Sequence, residues 1–126
     1  MKYRYLILLI IVLGMIGCTP RPRAVFYPGT PHFPPTDPAS VRLLRNEPRA
    51  FHIKLGEVRF TPAPDMPSYY VEGVLKEKAS MMGADALVIV VDNYYREAVV
   101  HGHYWPHVNV YRERVIVGVA IKYRPL

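Results

Sequence analysis

Seven of the twenty residues from Thr19 to Pro38, "TPRPRAVFYPGTPHFPPTDP", are proline, and this run separates what can fold regularly from what cannot. Proline fixes φ and withholds a backbone donor, so neither a helix nor a central strand passes through such a stretch. The run is expected to be extended and semi-rigid, spanning up to roughly 60 Å at about 3.1 Å per residue. Val25, Phe26, Tyr27 and Phe33 are more apolar than a spacer requires. The sequence leaves open whether they dock on the domain or meet a partner. Three segments result: residues 1–17, the run at 18–38, and one candidate domain at 39–126. The last is long enough for a single hydrophobic core and too short for two.

Within 39–126 the apolar spacing changes period. "SVRLLR" places Val41, Leu43 and Arg45 on one face of a short strand, which Pro48 ends. "FHIKLGEVRF" alternates Phe51, Ile53 and Leu55 against His52 and Lys54, then shifts parity after Gly56 to Val58 and Phe60. A glycine at a parity break predicts a bulge or bend. From Ser68 to Met82 the period becomes helical, with Tyr70, Val71, Val74, Leu75, Ala79 and Met82 forming an apolar stripe. Asp65 or Ser68 is the expected cap, and Gly83 the left-handed residue that ends the helix. Gly73 costs the helix up to about 1 kcal/mol relative to Ala, which a close approach of helix to sheet would explain.

Six consecutive apolar residues, Ala86 to Val91, read as a central strand buried on both faces. Asp92 and Asn93 are expected to end it. A long final strand, "VNVYRERVIVGVAIKY", carries Gly118 and Ala120 where the helix would cross. "REAVVHGHYWPHVN" lies between them as a hairpin tip. The expected fold class is α+β: a small two-layer β-β-α-β-β domain, its sheet mainly antiparallel, with one covering helix and a long carboxy-terminal β-hairpin.

The amino terminus reads as an export signal. Lys2 and Arg4 precede an apolar run from Tyr5 to Ile16. As a helix those residues rise about 18 Å, short of the roughly 30 Å of hydrocarbon that a spanning helix crosses. Removal of the segment is therefore expected; an uncleaved amino-terminal anchor is the alternative. Cys18, the sole cysteine, follows at once. Export favours disulfides in small domains, yet no second cysteine exists to pair with it.

Met15-Ile16-Gly17-Cys18 resembles a bacterial lipobox, with Met15 where that pattern prefers leucine. The resemblance implies a mature chain beginning at Cys18 with covalent diacylglycerol and N-acyl groups, and no other cofactor. Two or more acyl chains anchor a protein stably where one does not. By resemblance to enteric sorting rules, Thr19 in place of aspartate implies the outer membrane, facing the periplasm, over the inner membrane. The alternative use of Cys18, as a buried structural thiol, conflicts with its proline-rich surroundings.

Sixteen Lys and Arg stand against ten Asp and Glu, a surplus that in another compartment would suggest nucleic acid. The export signal, and the lack of a basic run or an aromatic RNA motif, argue against nucleic acid. Anionic headgroups or acidic glycans fit better, although such charge commonly only solvates a surface.

Two constellations stand out. Tyr94, Tyr95, Tyr104, Trp105 and Tyr111 surround the hairpin tip; tyrosine and tryptophan join an apolar body to a polar end and suit protein or lipid interfaces. Cross-strand stabilisation of the hairpin is the simpler use of the same rings, and stacking on cell-wall sugars a third. "HGHYWPH" sets His101 and His103 two apart, on one side of a strand, with His107 across the loop, a candidate three-nitrogen metal site that Glu97 or Asp92 would complete. Exposed histidines that only meet solvent are the alternative. Asp85 reads as a turn residue bonding nearby backbone N–H groups. Ser40, Ser68 and Ser80 lack a nucleophile-elbow context, and no HExxH, CxxC or phosphate loop occurs. The expectation is a non-catalytic protein.

"GADALVIV" behind an amphipathic helix, then "VGVAIKY" on a closing strand, resembles the core of small bacterial envelope lipoproteins and YbjQ-type domains, a group that includes the stress-sensing lipoprotein of the Rcs phosphorelay. The resemblance covers Ile53 to Tyr123 and the order anchor, linker, domain. Its residues, Gly83, Ala84, Ala86, Gly118 and Ala120, are structural. The Rcs sensor has disulfides in its domain and this chain has none, so the resemblance implies a fold and an envelope location.

Overall fold

Val71, Leu75 and Ala79 recur every four residues, and this spacing sets the buried side of the domain's helix, α1 (Ser68–Met81). The computed structural model describes residues 19–104 and 107–124 together with Tyr3, Tyr5, Ile7 and Gly17; the side chains of Glu97, Val99, His101, His107 and Asn109 fall outside that description. No side chain caps α1, and Pro67 at φ −67° and ψ 146° opens it instead. Its end is a Schellman motif: Gly83 N–H donates to the Ser80 carbonyl at 2.9 Å and Ala84 N–H to that of Ala79 at 3.2 Å, with Gly83 at φ +79°. Tyr70 is 53% exposed, at the rim of the stripe. Gly73 has no neighbour within 4 Å of a Cβ position. Two residues from Val71 is a turn of about 200°, so Gly73 faces away from the sheet and the expected close approach does not exist there.

The strands are β1 (Arg23–Phe26), β2 (Arg42–Leu44), β3 (His52–Phe60), β4 (Ala86–His101) and β5 (His107–Tyr123), with a 3-10 turn at Pro38–Ser40. They form one mixed sheet in the order β1-β3-β5-β4-β2. The β1–β3, β3–β5 and β4–β5 pairs are antiparallel, whereas β2 runs parallel to β4 with Leu43 opposite Leu87. The result is a small α+β domain, one helix on a five-stranded sheet. Between α1 and the sheet lie Leu55, Val58, Phe60, Val71, Leu75, Ala79, Leu87, Ile116 and Ala120. On the opposite face Ala86, Val88 and Ile121 form a smaller cluster with Leu44, Val119 and Tyr123.

The proline-rich run is docked. Pro22 and Pro28 flank β1, which is an edge strand, the one place in a sheet where proline neighbours are tolerated. Ala24, Phe26 and Phe33 pack against the core. Thr36 closes the run on the end of α1, its N–H donating to the Ser80 carbonyl at 2.9 Å and its Oγ1 to that of Ala84 at 2.7 Å. β3 is bulged between Lys54 and Gly56, where the parity break places it.

Three expectations are corrected by the strands. Phe51 precedes β3 and is 72% exposed. A bulge between Ile89 and Val91 turns Val90 outward, so the apolar run is not buried on both faces throughout. β4 does not end at Asp92 but continues to His101, paired with β5 residue by residue.

Candidate interaction surface

Beyond the core, β4 and β5 leave the sheet as a two-stranded ribbon. Residues 93–101 have only β5 beside them, because β2 stops opposite Val88 and β3 opposite Ile116. The root of the ribbon is held by charge. Asp92 accepts two hydrogen bonds from Arg114, Nε at 2.8 Å and Nη2 at 3.0 Å, and a third from Arg45 Nη1 at 3.1 Å. The Arg114 bonds, then that of Arg45, hold the Asp92 carboxyl below the ordinary carboxylate range, and the same pairing raises Arg114. Arg114 also lies 5.6 Å from the centroid of the Tyr94 ring. Asp92, Arg114, Arg45, Glu72 and Lys76 border a cleft of about 410 Å³ between α1 and β4. Asp92 is thus a structural anion at the root, far in register from the histidines it was expected to join.

Outward from the root the pleat sorts the side chains. One face carries the opposed pairs Tyr94/Arg114, Arg96/Arg112, Ala98/Val110 and Val100/Val108, and the other carries Tyr95, Tyr111 and Glu113; in register Glu97 lies opposite Tyr111 and Val99 opposite Asn109. Tyr94 is 67% exposed, Tyr95 53% and Tyr104 87%. The rings expected to form one cluster are therefore divided between two faces and the tip. His103 and Tyr104 meet edge to face with centroids 5.4 Å apart. β4 ends at His101 and Gly102 turns at φ +102°, so His103 belongs to the turn and not to the strand that holds His101. His101 and His107 stand directly opposite in register. Among the described residues no group of His, Cys, Asp and Glu is arranged to hold a metal.

Asp85 is not a local turn acceptor. Its carboxylate reaches across to β5, accepting from Lys122 Nζ at 2.8 Å and from the Tyr123 backbone N–H at 3.0 Å. Arg45, Arg114 and this Asp85 contact were not singled out by the sequence, since strand register alone brings them together. Residues 1–17 apart from Tyr3, Tyr5, Ile7 and Gly17, and Cys18 and Trp105, lie outside the described residues. Among the described residues no helix is long and apolar enough to cross a membrane.

No family model matches the chain, and no curated protein matches it. Among solved structures it is similar to the crystal structure of the Francisella virulence factor FvfA, at a TM-score of 0.50 and 20% identity, over 79% of this chain and 97% of that one. At that identity the likeness is one of fold: a small α+β domain with one helix on a mixed sheet.

Proposed function

We propose that the chain is a bacterial envelope lipoprotein, acylated at Cys18, whose domain acts by contact and not by catalysis, with the β4–β5 ribbon as its contact element. One observation carries the reading: the sole cysteine stands directly behind a short apolar run, in a setting that resembles a lipobox. The finer fold belongs to the same proposal. Residues 39–126 are a β-β-α-β-β unit closed by a carboxy-terminal hairpin, to which β1 adds an edge strand, and the unit keeps its resemblance to YbjQ-type and Rcs-sensor lipoproteins. The address is the outer membrane, facing the periplasm.

The docked run changes what an anchor at Cys18 would do. From Cys18 to Arg23 is five residues, at most about 18 Å of chain, in place of the 60 Å of a free spacer. A lipid there holds the domain against its membrane. Globomycin, which blocks removal of lipoprotein signals, is the test. Expected is an accumulated precursor that incorporates palmitate, with incorporation lost in Cys18→Ser; a chain that matures normally and takes no palmitate contradicts the reading.

A second reading, a metal-binding module, draws support from His101 standing opposite His107 in register, with His103 just beyond. Equilibrium dialysis with zinc or copper decides it. Equal stoichiometry in the wild type and in a variant with all three histidines changed to alanine removes it.

A further inference from the structure

The amino-terminal end of β1 and the tip of the ribbon point the same way. Arg23 lies opposite Arg59 and Phe26 opposite Gly56; Arg59 in turn lies opposite Val117 and Gly56 opposite Ala120. Traced back from Phe26 to Arg23, the chain runs along β5 from the level of Ala120 to that of Val117, toward the ribbon tip. Pro20 continues the line, sharing a surface cleft with Tyr111, Arg112 and Glu113. Cys18 is two residues further, no more than about 7 Å of chain from Pro20. From Arg112 the ribbon extends five residues to His107, about 16 Å beyond that level. A bilayer that holds Cys18 is therefore within reach of the ribbon.

The outer ribbon has the layering such a surface demands. Near the tip, Ala98, Val100, Val108 and Val110 share one face, and the three valines are 62%, 61% and 60% exposed. A two-stranded ribbon with no covering layer is marginal in water, and apolar side chains on it gain nothing there. Just inward on the same face Arg96 and Arg112 stand directly opposite each other. Like charges so placed repel, and an anion between them removes the repulsion. Apolar side chains outermost and a cationic pair behind them match hydrocarbon and headgroup phosphate in that order. A second copy laid on this face would bring arginines onto arginines or onto valines, and neither supplies the anion.

We propose that the β4–β5 ribbon dips its apolar end into the leaflet that holds the acyl chains of Cys18, with Arg96 and Arg112 on anionic headgroups. The domain would then be held at two points, and its orientation on the membrane fixed. The proposal rests on the lipoprotein reading, and the test separates the two. The full-length mature protein is purified, its mass is measured for acyl groups, and it is reconstituted in phosphatidylethanolamine–phosphatidylglycerol vesicles containing brominated lipid. Trp105, the sole tryptophan, is next in sequence to Tyr104 and serves as the depth reporter.

Quenching of Trp105 is expected, and it should fall at least about twofold in Arg96→Gln/Arg112→Gln or when phosphatidylcholine replaces the anionic lipid. Val100→Glu/Val108→Glu, on exposed positions, should abolish it while leaving the far-ultraviolet spectrum unchanged. An acylated protein whose tryptophan is unquenched overturns the ribbon proposal, as does a Val108→Cys variant that crosslinks efficiently to a second copy. If the mass shows no acyl groups, the anchor reading has failed by itself. Flotation of that protein with anionic vesicles that is lost in Val100→Glu/Val108→Glu then upholds the ribbon, and failure to float, or flotation unchanged in that variant, overturns it as well.

Discussion

Gly56 and Val25 are in backbone contact: a Cβ on Gly56 would fall on the Val25 carbonyl oxygen and come within 2.8 Å of the Phe26 Cα and 2.7 Å of the Met82 Cε. The glycine at the bulge of β3 is therefore the seat of β1. It lets the proline-rich run lie on the sheet and brings the amino-terminal segment to the ribbon side of the domain.

Gly56→Ala is expected to lift β1 off the sheet while the rest of the domain stays folded. The loss should be about 1–3 kcal/mol, the usual cost of forcing atoms into a packed site. Limited proteolysis measures it: cleavage within residues 19–30 should accelerate, with the fragment that begins just after the cut surviving. Equal cleavage rates in variant and wild type would mean that β1 does not depend on this contact.

The Asp92–Arg114 pair gives a prediction in pH. The folded carboxyl titrates below its unfolded value of about 3.9, so the charged form is favoured by folding. Its stabilisation is present above that value and is lost as pH falls through the lowered folded pKa. Asp92 and Arg114 side chains are 17% and 22% exposed. Asp92→Asn should therefore cost about 1–3 kcal/mol at pH 7, and denaturant melts should show the gap between variant and wild type narrowing below about pH 4. A gap that stays constant to pH 2 would contradict the assignment.

Two glycines are expected to respond in opposite directions. A Cβ on Gly118 would lie 2.7 Å from Cγ of the buried Leu87, whereas Gly73 has open space. Gly118→Val should destabilise by about 1–3 kcal/mol through overpacking. Gly73→Ala should stabilise by up to about 1 kcal/mol through helix propensity. Thermal melts of the pair decide it, and equal shifts would contradict the packing of β5 against β4.

What the sequence disclosed, and what it hid, follows from where periodic burial exists. The stripe of Val71, Leu75 and Ala79 and the stop at Gly83 located α1 within a residue, because one face of it must be buried. The parity break located the bulge of β3, although not its cause. β1 was hidden because its four residues are too few for a period, and only Ala24 and Phe26 of them meet the core. The outer halves of β4 and β5 pair only with each other, with no further strand beside them, so no alternation marks them and Asp92 looked like an end. Arg45, Asp92 and Arg114 meet through register, which residue spacing does not encode. Gly73 misled because a glycine in a helix has two readings, and its angle from Val71 decides between them.

Everything proposed about location starts at one sulfur, and mass spectrometry of the amino-terminal peptide of the protein isolated from its own cells reads that atom directly. The account predicts a peptide that begins at Cys18 and carries diacylglyceryl and N-acyl groups. A peptide that begins at Met1, with Cys18 as a free thiol, would contradict it.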